Sequence, residues 1–588
     1  MVPLERESPT LRLLCAQDAR LAARVAASCP PPRFRILSGV SDTPLRLSDN
    51  AQEYTLVDPP PSWGAMAAAD FLLCFGVGDG ALVGRALSET PVRVVVLEPE
   101  LDLVRHVLTR HDWSAAVLAG RLRVFTVTMG NGVLDELAQR EVTALVAGLL
   151  HAPGAVMHTT STSSAPLHEK LYAHAHQAAT CAVQTINTLR RERAHAVAHD
   201  VTVVSPRCAI FDDLAQTFQR LGYQTRLLSV PDVPRDWTEV QRLDALASLA
   251  RQPSKLVITR NRVLLETDYV QELPQPEFHL PGAVANWWWD VPNVATICDG
   301  TAIAGGAHPL GFARDLLATL PRGAQWLPPA ARSMFAAAPL AHAEPDINIS
   351  FVGQSRLSTL RGNLSNLLPM LDLFAPGLGT ELRGEVESQR GFAAIYTCMQ
   401  RRQATISATI ARLRVAFPAV AYYLGYLLEM VVTGAFRIAA IERLAREGIA
   451  VHVFGDDGWV QSGVVQPGNF RGVLPVDQLV HIYQRSRISL NLNFMQVSST
   501  VNPKVLDIAA CGGVPLTDYR PELDVLYPDP ACRPFSFGSL DELVVAVRAL
   551  LGRDLSSYRE RLAVQTRAEH TMEHRARWLA ERFGLART

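Results

Sequence analysis

The stretch that most constrains this chain runs from Ser489 to Thr517, SLNLNFMQVSSTVNPKVLDIAACGGVPLT. SLNLNF alternates apolar and polar residues as a short strand does, and Asn491 and Asn493 emerge at its carboxyl end. The polar loop QVSSTVNP leads to Pro503, whose missing N–H suits the first turn of a helix. Lys504, Asp507, Ala510 and Cys511 follow at helical spacing, Gly512-Gly513 end the helix, and VPLT starts the next strand. Such a β-loop-α-β unit points the free N–H groups of its helix at the loop, a ready cradle for phosphate. Lys504 and Asp507 lie on one side of that helix, within reach of a ligand at its mouth. The plainer reading of the same spacing is an exposed ion pair worth almost nothing.

At 588 residues the chain exceeds a single core, and about three or four domains are expected. A formal net charge of -1 argues against broad electrostatic binding to nucleic acid or an anionic membrane. Nine scattered cysteines without a C-x-x-C pair suit a reducing compartment rather than a disulfide scaffold or a structural zinc site. MVPLERESPTLRLL has early acidic residues and no sustained apolar run, so no signal peptide is expected. The most membrane-like stretch, Ala421 to Ile441, is interrupted by Glu429 and Arg437 and reads as a buried helix. A soluble, cytoplasmic protein is expected, with no nucleic-acid partner and no membrane span.

In the amino-terminal third, FLLCFGVGDG (Phe71 to Gly80) is a buried strand running into glycines, ALVGRAL continues as a helix, and VRVVVLEPE ends in acid. Gly76, Gly78 and Ala81 fit a dinucleotide-binding turn, with Glu98 about twenty residues on. Adenosylmethionine-dependent methyltransferases show a similar arrangement; the plainer reading is a structural Rossmann unit with an empty pocket. The glycine turn before a VLEP-like strand also resembles the Maf-type (motility accessory factor) proteins linked to flagellin glycosylation, over roughly residues 65 to 195. Further on, His174 and His176 point to different helix faces. His195 and His199 would share one, but Ala196 stands where a zinc-binding helix has glutamate, and no third ligand is evident. No metal is assigned.

From Val201 onward strands and helices alternate, which argues for a parallel sheet covered on both faces. Ligands then sit at the carboxyl ends of strands, making Asp290, after the triple tryptophan of NWWWDVP, and the Ala304 to His308 turn candidate cleft residues. The tryptophans suit a sugar-binding wall with Asp290 as general base and His308 as its rival; simple packing beneath a loop fits them equally. INISFVGQSRLSTLRGNL restarts the pattern with a strand, a glycine turn at Gly353 and a helix carrying Arg356 and Arg361, suited to a phosphate-bearing ligand or to a pair of solvated arginines on a surface helix. A long helical region from Gly391 to Gly448 follows. In IAVHVFGDDGW the strand ends at Gly455, and Asp456-Asp457 reads as a turn rather than a metal site. The tail reads as helix, with His570 and His574 one turn apart.

The ordered motifs FVGQSRLSTLR, VFGDDGW, LPVDQLVHIYQRSRISLNLN, KVLDIAACGGVPLTD, FGSLDELVVAV and EHTMEHR resemble the carboxyl half of the CgeB-like glycosyltransferases. NWWWDVP and WLPPAAR resemble the amino half, so the likeness covers about residues 200 to 575. It implies an α/β protein of three Rossmann-like domains, the last two forming a GT-B pair. These are 1–198, an accessory domain; 199–345, the acceptor side; and 346–588, the nucleotide-sugar donor side with a helix crossing back. Carried over, the donor-site acid falls on Asp507, which would hold the ribose hydroxyls. Lys504 would face the pyrophosphate, Gly353 and Gly455 would line the cleft with Asn493 and Asn502, Val473 would lie near the base, and Arg356 would assist the departing diphosphate. Asp507 stands where the family usually has Glu, and Lys504 where it commonly has Arg.

The resemblance implies no bound cofactor, with a UDP, GDP or dTDP sugar as co-substrate and no metal requirement if helix dipoles and cations neutralise the leaving group. The acceptor would be a hydroxyl on a bacterial surface protein such as flagellin, or on a glycan. Two alternatives stay open: a methyltransferase working through Gly76, Gly78 and Glu98 with a carbohydrate-reading GT-B half, and a non-catalytic GT-B scaffold.

Overall fold

The computed structural model describes residues 8–17, 35–38, 45–48, 53–56, 71–98, 100–126, 156–160, 197–230, 251–260, 282–289, 307–318, 322–340, 344–388, 392–416, 418–495 and 498–585, with a few isolated positions besides. Runs of β-branched residues between amphipathic helices build three parallel sheets, whose central strands are buried on both faces. A short antiparallel meander (β1 Arg35–Ser38, β2 Leu45–Ser48, β3 Glu53–Leu56) precedes them.

The first sheet holds β4 (Phe71–Phe75), β5 (Arg93–Leu97), β6 (Leu122–Phe125) and β7 (Val156–Thr160) in the order β6-β5-β4-β7. The second holds β8 (His199–Ser205), β9 (Thr225–Ser229), β10 (Ser254–Arg260), β11 (Ala283–Trp288), β12 (Ala307–Gly311) and β13 (Gln325–Trp326), ordered β13-β12-β11-β10-β8-β9. The third holds β14 (Ile347–Val352), β15 (His452–Phe454), β16 (Ser486–Asn491), β17 (Pro515–Asp518) and β18 (Phe535–Phe537), ordered β15-β14-β16-β17-β18. The strand order switches sides between β14 and β16, which run parallel, and that switch point is where such sheets receive ligands.

Between β14 and β15 the crossover carries four helices, Leu357–Phe374, Leu378–Ser388, Phe392–Ala416 and Pro418–Arg446. The first is the helix read after the glycine turn, with Arg361 inside it and Arg356 as its N-cap, and Leu378–Ser388 is a further helix ahead of the region read from Gly391. Residues 423–446 form the single described helix long and apolar enough to cross a membrane, and 78% of its apolar window is buried within the protein.

The final helix, Met572–Arg582, leaves the third sheet and packs on the second. Met572, Ala576, Leu579 and Ala580 join one core with Val201, Phe211 and Trp287. Arg575 fastens the crossing, donating from Nε to the Pro328 carbonyl (3.0 Å) and from Nη2 to that of Pro329 (3.0 Å). Paired parallel sheets with a returned terminal helix are the GT-B arrangement that the motifs led us to expect.

Candidate functional site

The loop after β16 is built from its own side chains. Asn493, 2% exposed, donates its backbone N–H (2.8 Å) and Nδ2 (2.9 Å) to Asp518 Oδ1, and its Oδ1 accepts the Asn502 N–H (2.7 Å). Asn502 then caps the helix Pro503–Ala510, its side chain accepting the Lys504 N–H at 2.9 Å. Loop ends and helix start are therefore fixed before any ligand arrives.

Around this mouth three cations converge. Lys504 reaches across the sheet, its Nζ donating to the Val352 carbonyl (2.6 Å) beside the Phe351 ring (5.9 Å to the centroid). Arg437, 4% exposed on the helix Pro418–Arg446, donates to the carbonyls of Gln354 (3.2 Å) and Leu492 (3.3 Å) and stacks on Phe494 at 4.6 Å. Arg356 lies 5.5 Å from the same ring, in a left-handed backbone conformation (φ 61) uncommon for a side chain of its kind. The Nε atoms of Arg356 and Arg437 are buried and have no hydrogen-bond partner among the described residues. Burial and the charge of Arg356 pull Arg437 down to about 10; burial and the charge of Arg437 pull Lys504 down to about 7. Guanidinium groups stay charged, so Lys504 is the member able to relieve the repulsion by losing its proton.

Gly353 and Gly455 are there for close approach. A side chain on Gly455 would stand 2.2 Å from the Gly353 carbonyl oxygen, and one on Gly353 would press on Phe351 (3.1 Å) and near Lys504 Nζ (3.5 Å). Both line the strand ends below the cations.

Asp507, expected at the donor ribose, is engaged by Arg332. It is 1% exposed and holds Arg332, which follows β13, through three hydrogen bonds. Arg332 N–H donates to Oδ1 at 2.8 Å, and Nε (3.0 Å) and Nη2 (2.7 Å) donate to Oδ2. Burial pushes the Asp507 carboxyl up, while the Arg332 charge and its three donors oppose this. The fork geometry is that of an ionised pair. Asp507 thus ties the segment after β13 to the helix Pro503–Ala510.

The remaining candidates divide. His308 is second in β12, at the amino end of its strand, where it packs edge-on against Phe583 of the returning tail (5.0 Å) and burial lowers its pKa. It is not brought to the cleft. Asp290 lies outside the described residues. Val473 is 75% exposed in a loop outside the buried cluster. The tryptophans are core rather than a wall: Trp287 and Trp288 are 0% and 1% exposed, and Trp289 stacks on Phe312 at 5.1 Å. His570 is buried against the Leu526 carbonyl and pulled down to about 4, mainly by burial, while His574 closes the capping box of the last helix. Asp456 accepts the N–H (2.7 Å) and hydroxyl (3.1 Å) of Ser355, as a turn residue should. His195 lies outside the described residues.

In the first sheet, Glu98 is 0% exposed and accepts the N–H groups of Val77 (2.9 Å) and Glu100 (3.0 Å). The acid that would hold a cofactor's ribose is turned onto the glycine turn itself.

Sequence reasoning missed Arg437 and Phe494 as site residues. Arg437 had a signal, since with Glu429 it interrupts the apolar stretch Ala421 to Ile441; Phe494 had none.

The family model described as glycosyl transferase-like matches residues 436–581, which take in Arg437, Asn493, Asn502, Lys504 and Asp507 but not Gly353 or Arg356. No curated protein matches the chain. Among solved structures, a glycosyltransferase from Rickettsia africae ESF-5 is 9% identical, covering 65% of this chain and 97% of its own, with a TM-score of 0.39. The sucrose-phosphate synthase of Thermosynechococcus elongatus is 10% identical over 65% and 98%, with a TM-score of 0.38. The MAf glycosyltransferase of Magnetospirillum magneticum AMB-1 is 9% identical over 57% and 59%, with a TM-score of 0.20. The cationic mouth of the third sheet therefore lies largely within a glycosyltransferase-like segment.

Proposed function

We propose that the chain is a nucleotide-sugar-dependent glycosyltransferase whose donor diphosphate docks at the carboxyl edge of the third sheet. One observation carries this: Arg356, Arg437 and Lys504 converge at the switch point, the two arginines with buried Nε groups left unpaired, inside or beside the segment that matches the family model. A diphosphate supplies the missing acceptors. Its departure from the sugar develops negative charge where these cations and the start of the helix Pro503–Ala510 already stand, which is electrostatic stabilisation without reorganisation. The acceptor hydroxyl would come from the side of the second sheet. The likeness of the amino-terminal region to motility accessory factors supports a bacterial surface protein such as flagellin as the acceptor, with a glycan as the other class.

A second reading, a donor-binding scaffold without turnover, is favoured by the burial of Asp507 against Arg332, which removes the expected ribose acid. Thermal shift against UDP, GDP, dTDP and their sugars, followed by donor hydrolysis assays, separates the two. A ligand at a hundredfold over its Kd adds about 2.7 kcal/mol of stability. Binding with hydrolysis or transfer supports the enzyme, and binding alone supports the scaffold. A shift with adenosylmethionine and with no nucleotide sinks both.

A further inference from the structure

The loop that presents Lys504 is held from outside its own domain. Asp315, in the short helix Arg314–Leu317 after β12, accepts at Oδ2 from Ser498 N–H (2.7 Å), Ser498 Oγ (2.7 Å) and Ser499 N–H (3.1 Å), and at Oδ1 from Ser499 Oγ (2.8 Å). Ser499 Oγ accepts in return from the Asp315 N–H (3.2 Å). Burial raises the Asp315 carboxyl, but these four donors outweigh it and hold the group below its ordinary value, an ionised acceptor at neutral pH.

Glu522, 1% exposed, completes the clasp from the donor side. It shares the single Ser499 Oγ–H with Asp315 (2.6 Å), accepts from the Arg314 N–H and from Trp326 Nε1 (3.1 Å), and sends its own N–H to the Ser499 carbonyl (2.8 Å). Three residues beyond Ser499 stands Asn502, whose N–H is on Asn493 and whose side chain caps Lys504. The loop is pinned at its apex by the amino half and at its ends by the donor half. A carboxylate that takes two successive backbone N–H groups accepts one loop conformation and rejects the others.

We infer that Asp315 is a positioning residue of the donor site: through Ser498 and Ser499 it sets the loop that presents Asn502 and Lys504 to a bound diphosphate. This rests on the donor-site reading above. Asp315 touches no donor group itself, so donor affinity depends on docking of the acceptor-side half.

The test uses the full chain as wild type, Asp315→Ala, Ser498→Ala/Ser499→Ala and the triple variant. Amide exchange and the Kd values for UDP, GDP and dTDP are measured on each. Asp315→Ala is expected to speed exchange at Ser498 and Ser499 and onward at Asn502 and Lys504. It should weaken the diphosphate that wild type binds by about tenfold, the scale of a small misplacement of binding groups. The triple variant should lose less than the sum of Asp315→Ala and the serine pair, because both changes break the same clasp. Exchange changes that stop at Ser499, or losses that simply add in the triple variant, overturn the inference. Should Asp315→Ala melt the whole chain, Asp315→Asn, which keeps one acceptor oxygen, gives the same reading at smaller amplitude. A wild type that binds none of the three diphosphates overturns the function proposed above, while exchange at Asn502 and Lys504 still decides the role of Asp315.

Discussion

The first and third sheets both end their leading strand in a glycine turn, yet they treat buried charge in opposite ways. At the first, Glu98 turns inward and accepts the N–H groups of Val77 and Glu100, so the turn carries its own partner. At the third, Arg356, Arg437 and Lys504 crowd one mouth with buried Nε atoms unanswered. The third sheet also contains the settled kind, in Asp507 and Arg332. The lesson is that a Rossmann turn is a site only where its polar groups are left wanting. A buried cation without a counter-ion costs stability, and a protein retains it for what it will meet.

The largest expected effect breaks the settled pair. Asp507→Ala leaves Arg332 buried and alone and should cost about 3–5 kcal/mol in denaturant unfolding, whereas Asp507→Leu with Arg332→Met should come out near wild type. If Asp507→Ala proves nearly neutral, the pair is not the junction described here. Next is the unsettled kind. Arg437→Met removes a charged donor and should weaken nucleoside-diphosphate binding by about a hundredfold while leaving the fold as stable or more so. Loss of stability together with unchanged affinity would make Arg437 an ordinary core residue.

Glu98→Ala frees two backbone donors and should destabilise the amino-terminal sheet by about 1–3 kcal/mol with no change in diphosphate affinity. A change in affinity would tie the first sheet to the donor site after all.

The smallest effect is one of pH. In the free protein Lys504 sits at about 7, below its ordinary value of 10.5. Between those values the unfolded chain binds the extra proton, so stability of the unliganded protein rises with pH across that window. An anion recharges Lys504, so diphosphate affinity is full below about pH 7 and falls by up to about tenfold per unit above it. The two slopes have opposite sign, and Lys504→Arg should flatten both in titration calorimetry and pH-dependent melting. A wild-type affinity that does not vary from pH 6 to 9 would show Lys504 stays charged throughout.

Much of the third sheet was legible in the sequence because its signals are local. Pro503 starts the helix and the turn after Ala510 ends it at Gly512-Gly513, and the strand read from Ser489 to Phe494 is β16 displaced by three residues. The partners of its charges were not legible. Asp507 meets Arg332 across 175 positions, a distance over which spacing holds no information. Lys504 and Asp507 share a helix side as expected, yet Lys504 reaches the end of β14 and Asp507 reaches Arg332, because the rise of nearly one turn between them spans the boundary between the two halves. The tryptophans of β11 looked equally like a wall and a core; burial between sheet and helix decided for the core.

The returning helix sets the order in which the molecule can be completed. Met572, Ala576 and Leu579 are part of the second sheet's core, although the ribosome delivers them after every strand of the third. During synthesis the middle unit must wait, its apolar face open, until the donor unit has emerged and folded. A ribosome stalled just before Met572 would leave the earlier-made unit unfinished and the later one nearly whole, the reverse of what chain order suggests.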